Sequence, residues 1–446
     1  MKSSIILILS IVAAANLLGA EPDPAIRSPA SGTVITPAFI SLLADELRTN
    51  NPALLAAGAR TNAAAASLAA VRTWEDPVAR LGGMAAREEM RADEGDLIYG
   101  VEQKLPLFGK PQLARNVARA ELATGQANAD YQFQILRGEL ARALFKTALA
   151  DRVIELGGQD RTWLEIIVNA TEAKYRTGEA TLAELLEVQN ELAKRTNQLQ
   201  TDINLRDNER FSLNRLLNRG LSAPWPILEL PPVAPPVTYN QRLVELGLKY
   251  EPKASMMRQQ VKQTEAAVQL TRRQRLPDVN VGLEARNYTG DGSFRQGLLV
   301  FSVNLPWANA GKYRNDIRRD EAKLRASELD LADWELSVRQ EIHHLTVSID
   351  TARREALLYR DDIIPRSEQA IASARAAWET GRRTLREVLE TRRMLLDARL
   401  MFARAVAEQY EMMAELVLCC GLGDFESLQM IGAQLKTPTK ELPNEK

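Results

Sequence analysis

The sequence predicts a mainly α protein with a small β part, organised as long coiled-coil helices in two internal repeats. Three observations predict it. Alanine, leucine, arginine and glutamate dominate while aromatics are only 5% of the chain, the composition of long helices rather than of a large globular core. Sequence anchors recur about 200 residues apart in the same order. Apolar residues keep a 3-4 spacing over several turns near the end of each copy.

The anchors define the copies. Asn51-Pro52 matches Glu251-Pro252, and Pro77 matches Pro277. Leu105-Pro106-Leu107-Phe108-Gly109-Lys110 matches Leu305-Pro306-Trp307 through Gly311-Lys312. Tyr175 to Leu182 matches Trp378 to Leu385, at an offset of 203. The repeats span residues 38–220 and 240–421. Between them, 221–239 carries six prolines from Pro224 to Pro236 and reads as an extended linker.

Met1-Lys2, the apolar run Ile5 to Ala15 and Leu18-Gly19-Ala20 read as an export signal over 1–20. An extension follows over 21–37, and a tail over 422–446. No cysteine lies near the cleavage point, so N-terminal lipidation is not expected. No other stretch suits a transmembrane helix, so any crossing is expected through a β-barrel. The 57 basic and 58 acidic residues balance, which argues against nucleic-acid binding.

Each copy has one grammar. A helix (38–72; 240–275) leads to a strand pair (77–106; 278–306). A very long helix (111–176; 312–379) ends at Gly178 or Gly381, and a second helix returns (181–219; 384–420). The return seams run Leu182, Leu185, Gln189, Leu192, Thr196, Leu199, Ile203 and Leu385, Val388, Arg392, Leu395, Arg399, Phe402, Val406. Helices of this length span on the order of 100 Å, which suits bridging a gap. In the strand pairs, Val279, Val281, Leu283 and Ala285 alternate with Asn280, Gly282, Glu284 and Arg286, as do Leu97, Tyr99, Val101 and Leu299, Phe301, Val303 with their neighbours. Such alternation fits a wall with one apolar and one wet face. Asp291-Gly292 marks a turn.

The duplicated order, the sequences Leu-Pro-Leu-Phe-Gly-Lys and Leu-Pro-Trp-Ala-Asn-Ala-Gly-Lys, and the tips Tyr-Arg-Thr-Gly and Trp-Glu-Thr-Gly resemble the TolC-type outer-membrane efflux factors over nearly the whole mature chain. The resemblance implies a homotrimer in which each protomer gives four strands to a twelve-stranded transmembrane barrel in outer-membrane lipid, with a helical barrel crossing the periplasm. It implies a passive exit duct of a tripartite efflux system for small molecules, drugs or metal ions. Its partners would be a periplasmic adaptor (membrane fusion protein) and an inner-membrane pump.

The same resemblance assigns the tips. Gly178, Gly381, Thr177 and Thr380 would contact the adaptor. Glu387 and Glu390, mirrored by Glu184 and Glu187, would ring a periplasmic gate in three-fold symmetry, where crowded carboxylates attract cations. Arg383 would link the entrance to a neighbouring helix. Trp378 departs from the tyrosine frequent in the family, and an indole only donates a hydrogen bond. The gate is therefore expected mainly from the second copy.

No enzyme site, cofactor or metal site emerges. His343 and His344, the only histidines, are neighbours whose side chains diverge on a helix. Cys419 and Cys420 are adjacent and read as small, partly buried residues. Gly157-Gly158 reads as a bend. Alternatives are a protein-secretion duct, a non-transporting coiled-coil scaffold, and the adaptor itself, which would carry one helical hairpin and more strand.

Overall fold

The computed structural model describes residues 32–83, 97–288, 292–422 and Ser427. The expected export signal, most of the tail and Asp291 of the expected turn lie outside the described residues. The chain opens with a short strand β1 (Thr33–Val34), then α1 (Pro37–Asn50) and α2 (Pro52–Ala70). Strands β2 (Val78–Gly83) and β3 (Leu97–Lys104) follow, then α3 (Lys110–Arg176) and α4 (Leu182–Leu216). After β4 (Leu228–Glu229), the order recurs as α5 (Gln241–Tyr250), α6 (Pro252–Gln274), β5 (Val279–Asn287) and β6 (Phe294–Val303). It ends with α7 (Ala310–Leu358), a π-helical turn at Tyr359–Ile363, α8 (Ile364–Glu379) and α9 (Leu385–Cys419).

The first helix of each copy is two helices rather than one. Proline cannot donate a backbone hydrogen bond and clashes with the preceding turn, so α1 stops before Pro52 and α5 before Pro252. Asn51 caps α2 and ties the break to the end of α4. Its Oδ1 accepts from Ala53 N at 2.8 Å, and its Nδ2 donates to Leu216 O at 2.7 Å. Glu251 caps α6 through Ala254 N and accepts from the Trp334 indole at 2.9 Å.

Helix α3 is unbroken for 67 residues, ~100 Å at 1.5 Å per residue. Its helical hydrogen bonding continues through Gly157-Gly158. Gly157 instead lets α4 approach, since a Cβ there would lie 3.3 Å from Leu199 Cδ1. In the matching position of the second copy, the helix is interrupted by the π turn, with Pro365 just beyond it in α8.

One hydrophobic core gathers Leu43 and Leu47 of α1, Leu140, Leu144 and Phe145 of α3, Leu243 of α5, Ile342 of α7 and Met413 of α9. Residues 221–239 between the copies are pinned to this core. Asp151 accepts from Leu228 N at 3.0 Å, Gln409 exchanges two bonds of 3.1 Å with the Ala234 backbone, and Tyr410 donates to Pro232 O at 2.8 Å. Strand β4 also pairs in parallel with β1. Cys420 is buried here, and burial pushes its thiol up to about 12, which disfavours the thiolate.

The larger sheet has the order β2-β3-β5-β6, all antiparallel. Its register aligns Leu81, Tyr99, Ala285 and Gly297, then Val101, Leu283 and Leu299, on one face. The other face carries Arg80, Glu102, Asn280, Glu284, Arg286 and Ser302, with Val78, Ile98, Leu298 and Val300 as apolar members. Glu102 is buried there, salt-bridged to Arg80 and accepting from Ser302 Oγ at 3.0 Å. The apolar face is bare: Leu81 is 84%, Leu283 68% and Phe301 64% exposed. Among the described residues, β2 and β6 each have a partner on one side only.

Candidate functional site: the helical tips and the clamp above them

Both long helices end in the same cap. Gly178 (φ +77°) and Gly381 (φ +71°) adopt the left-handed conformation. Glu179 N reaches Lys174 O at 2.8 Å and Arg382 N reaches Ala377 O at 2.8 Å, which closes the last turn of each helix. Thr177 and Thr380, just before the glycines, bond back to carbonyls of that turn, at 3.0 Å to Lys174 O and 3.1 Å to Ala377 O. The return helices start on threonine caps: Thr181 and Glu184 form a reciprocal capping box, and Thr384 accepts from Glu387 N.

A Cβ at Gly381 would meet nothing within 4 Å, so only backbone strain opposes a side chain there. An L-residue in this conformation costs about 1–2 kcal/mol. Gly381→Val should therefore lower the thermal midpoint, whereas Gly381→Asn, which tolerates the conformation, should stay near wild type.

The cleft between the two tips brings together Lys174, Glu184, Trp378, Arg382, Arg383 and Glu387. Trp378 is 7% exposed and belongs to a core with Leu164, Ile167, Val188, Leu385 and Val388. Lys174 lies 4.8 Å above its ring and donates to Trp378 O at 3.2 Å, tying the two tips together. Within the protomer Arg383 pairs with Glu387 of its own helix at 3.4 Å. Glu187 reaches across to Arg386 at 3.4 Å, and Glu390 is exposed. The carboxylates of α4 thus face a stretch of α9 in which arginines and carboxylates are interspersed.

The first return seam sits differently from its expected phase. Leu182, Gln189 and Thr196 are exposed, and Val188 and Arg195 take the inward places beside Leu185, Leu192 and Leu199. The second seam is inward as expected at Leu385, Val388, Leu395 and Val406, with Arg392 half-buried.

The sequence reading missed the interior charge. Asp160 of α3 is buried and held by Arg195 of α4 at 2.9 Å and Arg392 of α9 at 2.8 Å. Arg392 also stacks 5.0 Å over Trp163. Below, Glu191 of α4 accepts from both Nε and Nη2 of Arg393 on α9. That hydrogen bond lowers the Glu191 pKa against the opposing effect of burial. The pair therefore stabilises the helices fully above about pH 4.5 and less as the pH falls through the depressed value. One signal was present: Leu156, Asp160, Leu164, Ile167 and Thr171 form one buried stripe, with a carboxylate inside it.

Among the described residues no helix is long and apolar enough to cross a membrane, and no cluster of His, Cys, Asp or Glu is arranged to hold a metal. The described residues define a class of long paired helices joined to a four-stranded sheet with one bare apolar face. The family described as outer membrane efflux protein matches residues 43–219 and 243–422, and the chain belongs to it. The fold is that of VceC from Vibrio cholerae (TM-score 0.72, 18% identity, covering 86% of this chain and 96% of that one). It is equally that of the CmeC outer membrane channel of Campylobacter jejuni (TM-score 0.74, 14% identity, 95% and 98%). The cobalt-zinc-cadmium resistance protein CzcC of Cupriavidus metallidurans is 23% identical over 173 residues, 38% of this chain. The match spans 40% of the length of that curated relative. Family membership places the chain in the outer membrane.

Proposed function

We propose that three copies of this chain form a passive exit duct through the outer membrane and across the periplasm, fed by a periplasmic adaptor and an inner-membrane pump. One observation carries this reading: the sheet is apolar on one face, charged on the other and, among the described residues, unpaired at both edges. An exposed edge invites strand pairing, and four strands cannot close on themselves. Pairing β2 of one copy with β6 of the next turns the bare face to lipid and the charged face to a wet interior. Three copies give twelve strands, and the recurring element order gives each copy a share of both strands and helices. The ~100 Å of α3 then supplies the periplasmic reach.

The tip residues Thr177, Gly178, Thr380 and Gly381 are the adaptor contacts in this reading. Glu387 and Glu390, with Glu184, Glu187 and Arg383, are the entrance charges. Trp378 supports the entrance from within the protomer. The duct performs no chemistry and needs no cofactor. Small molecules are the cargo, and the metal-resistance name of one relative supports metal ions among them.

Fractionation tests the duct: the protein should stay with the outer membrane and require detergent for release, and release by a salt wash would refute it. For the entrance, Glu387→Gln with Glu390→Gln should reduce the cation preference of single channels severalfold. An unchanged preference would remove these residues from the entrance.

A further inference from the structure

We propose that the helices carry, just below the sheet, a collar of arginines that binds the phosphates of anionic phospholipids in the adjoining leaflet. The inference rests on the duct reading, in which the bare face of the sheet meets lipid, and it names the lipid class held where that face ends. Aromatic residues mark the level. Trp74, Phe108 and Trp307 stand at connections between strands and helices and are 54%, 45% and 63% exposed. Bare aromatics flanking an apolar strand face are the side chains that settle at a membrane–water boundary. Arginines follow them at one spacing in both copies. Arg115 and Arg119 come seven and eleven residues after Phe108, and Arg314 and Arg318 come seven and eleven after Trp307.

The helices sort their charges by side. A cleft at the junction of sheet and helices is lined by Lys104, Lys110, Asp278, Lys312 and Asp316, among others. Lys104 lies on the strand face of Glu102, Asn280 and Ser302, so the cleft continues the charged face. Lysines and carboxylates pair there, Lys104 with Glu75 at 2.7 Å and Lys110 with Asp278 at 2.8 Å. At about 100° per residue, Arg314 and Arg318 fall on the side of α7 opposite the cleft-lining Lys312, Tyr313 and Asp316. On α3, Arg119 falls away from Lys110, Pro111 and Ala114, with Arg115 on the flank. On α6, Arg272 falls opposite Leu270 and Gln274, and Arg275 follows at the helix end.

Most of this outer charge is uncompensated. Arg115, Arg119, Arg275, Arg314 and Arg318 are exposed and make no ion pair among the described residues. Arg119 donates to Asn116 at 2.8 Å. The carboxylates Glu265 and Glu321 share this side, and Glu321 is taken up by Arg272 at 2.7 Å. The chain as a whole has a net charge of −1, so the collar is a local excess rather than a general basicity. A guanidinium offers a planar fork that grips a phosphate bidentately, and its long stem lets the head reach toward the interface. Arg314 and Arg318 lie ~6 and ~12 Å along α7 from its first residue. An anionic surface is felt over about 10 Å at 0.1 M salt, so it reaches this collar. A zwitterionic headgroup brings its own ammonium to the same place and gains less. The aromatic level beside the charge favours lipid over a soluble polyanion, which has no use for Phe108 and Trp307.

The test is electron spin resonance of the purified full-length protein in phosphatidylcholine vesicles holding a trace of spin-labelled lipid. Labelled phosphatidylglycerol should be held at the protein severalfold more strongly than labelled phosphatidylcholine, and 0.5 M NaCl should shrink that preference. Replacing Arg115, Arg119, Arg314 and Arg318 together by Gln should bring the ratio close to one, with incorporation into vesicles unchanged. Replacement of the same four by Lys, which keeps the charge and loses the fork, should give an intermediate ratio. Arg314→Gln with Arg318→Gln, which leaves α3 untouched, should lose about half the preference and decides the matter if the fourfold variant does not fold. Equal retention of the two lipids by the wild type, or a wild-type ratio in either inserted Gln variant, would overturn the collar. So would binding of a soluble polyanion such as heparin that removes no labelled phosphatidylglycerol yet is lost in the Gln variants, since the arginines would then serve a polymer. Failure of the wild-type protein to enter vesicles at all would instead overturn the duct reading.

Discussion

Leu283→Arg is expected to remove the protein from the outer membrane. Leu283 lies mid-strand on the bare face, in register with Val101 and Leu299 and 68% exposed. A charge on the lipid side of a barrel strand costs about 2–4 kcal/mol near the bilayer midplane. Three copies in one barrel would multiply this to roughly 6–12 kcal/mol per assembly. The matching control is Gln296→Glu, on the opposite face and across from Arg286. It places a carboxylate opposite a guanidinium and should leave insertion unchanged. Quantitative immunoblotting of outer-membrane fractions decides it: equal amounts of Leu283→Arg and wild type would mean that this face does not meet lipid.

Asp151→Ala should be the most damaging single change in the helical part. Asp151 accepts from Arg210 at 2.9 and 3.2 Å and from Leu228 N at 3.0 Å, joining α3, α4 and the linker. Truncation leaves a buried backbone donor and a buried guanidinium without their acceptor. Breaking a buried pair from one side costs about 3–5 kcal/mol. The Arg210 Nε already lacks a partner, so the site has no spare acceptor to offer. Thermal unfolding followed by circular dichroism should show a clearly lower midpoint, with Asp151→Asn intermediate because its amide oxygen still accepts. A midpoint for Asp151→Ala equal to wild type would show that the linker is held by other contacts.

Much of the fold was legible because its signals are local and periodic. The tip glycines, the threonine caps and the strand alternation are each written within a few residues. Errors arose where the deciding contact is distant. The breaks before Pro52 and Pro252 were visible as anchors, yet each first helix was read as continuous. In α4, Leu182, Leu185, Leu186, Val188 and Leu192 form two overlapping stripes. Only packing on α3 selects the stripe that contains Val188 and leaves Leu182 and Leu186 exposed.

The site was harder to read for a related reason. In helices so rich in Glu and Arg, a buried Asp160 looks like one more solvated charge. Its role depends on Arg195 and Arg392, which lie 35 and 232 residues away. Trp378 illustrates the converse: a residue expected at the entrance is a core side chain covered by Lys174. The pinning of the linker by Gln409 and Tyr410 likewise depends on backbone groups, which side-chain patterns do not report.

The most direct measurement is single-particle imaging of the intact, detergent-purified protein. Three-fold symmetry is predicted, with β2 of each protomer hydrogen-bonded to β6 of the next in a closed twelve-stranded barrel continuous with a helical tube. A monomer, or an assembly in which those two edges remain unpaired, would contradict the duct.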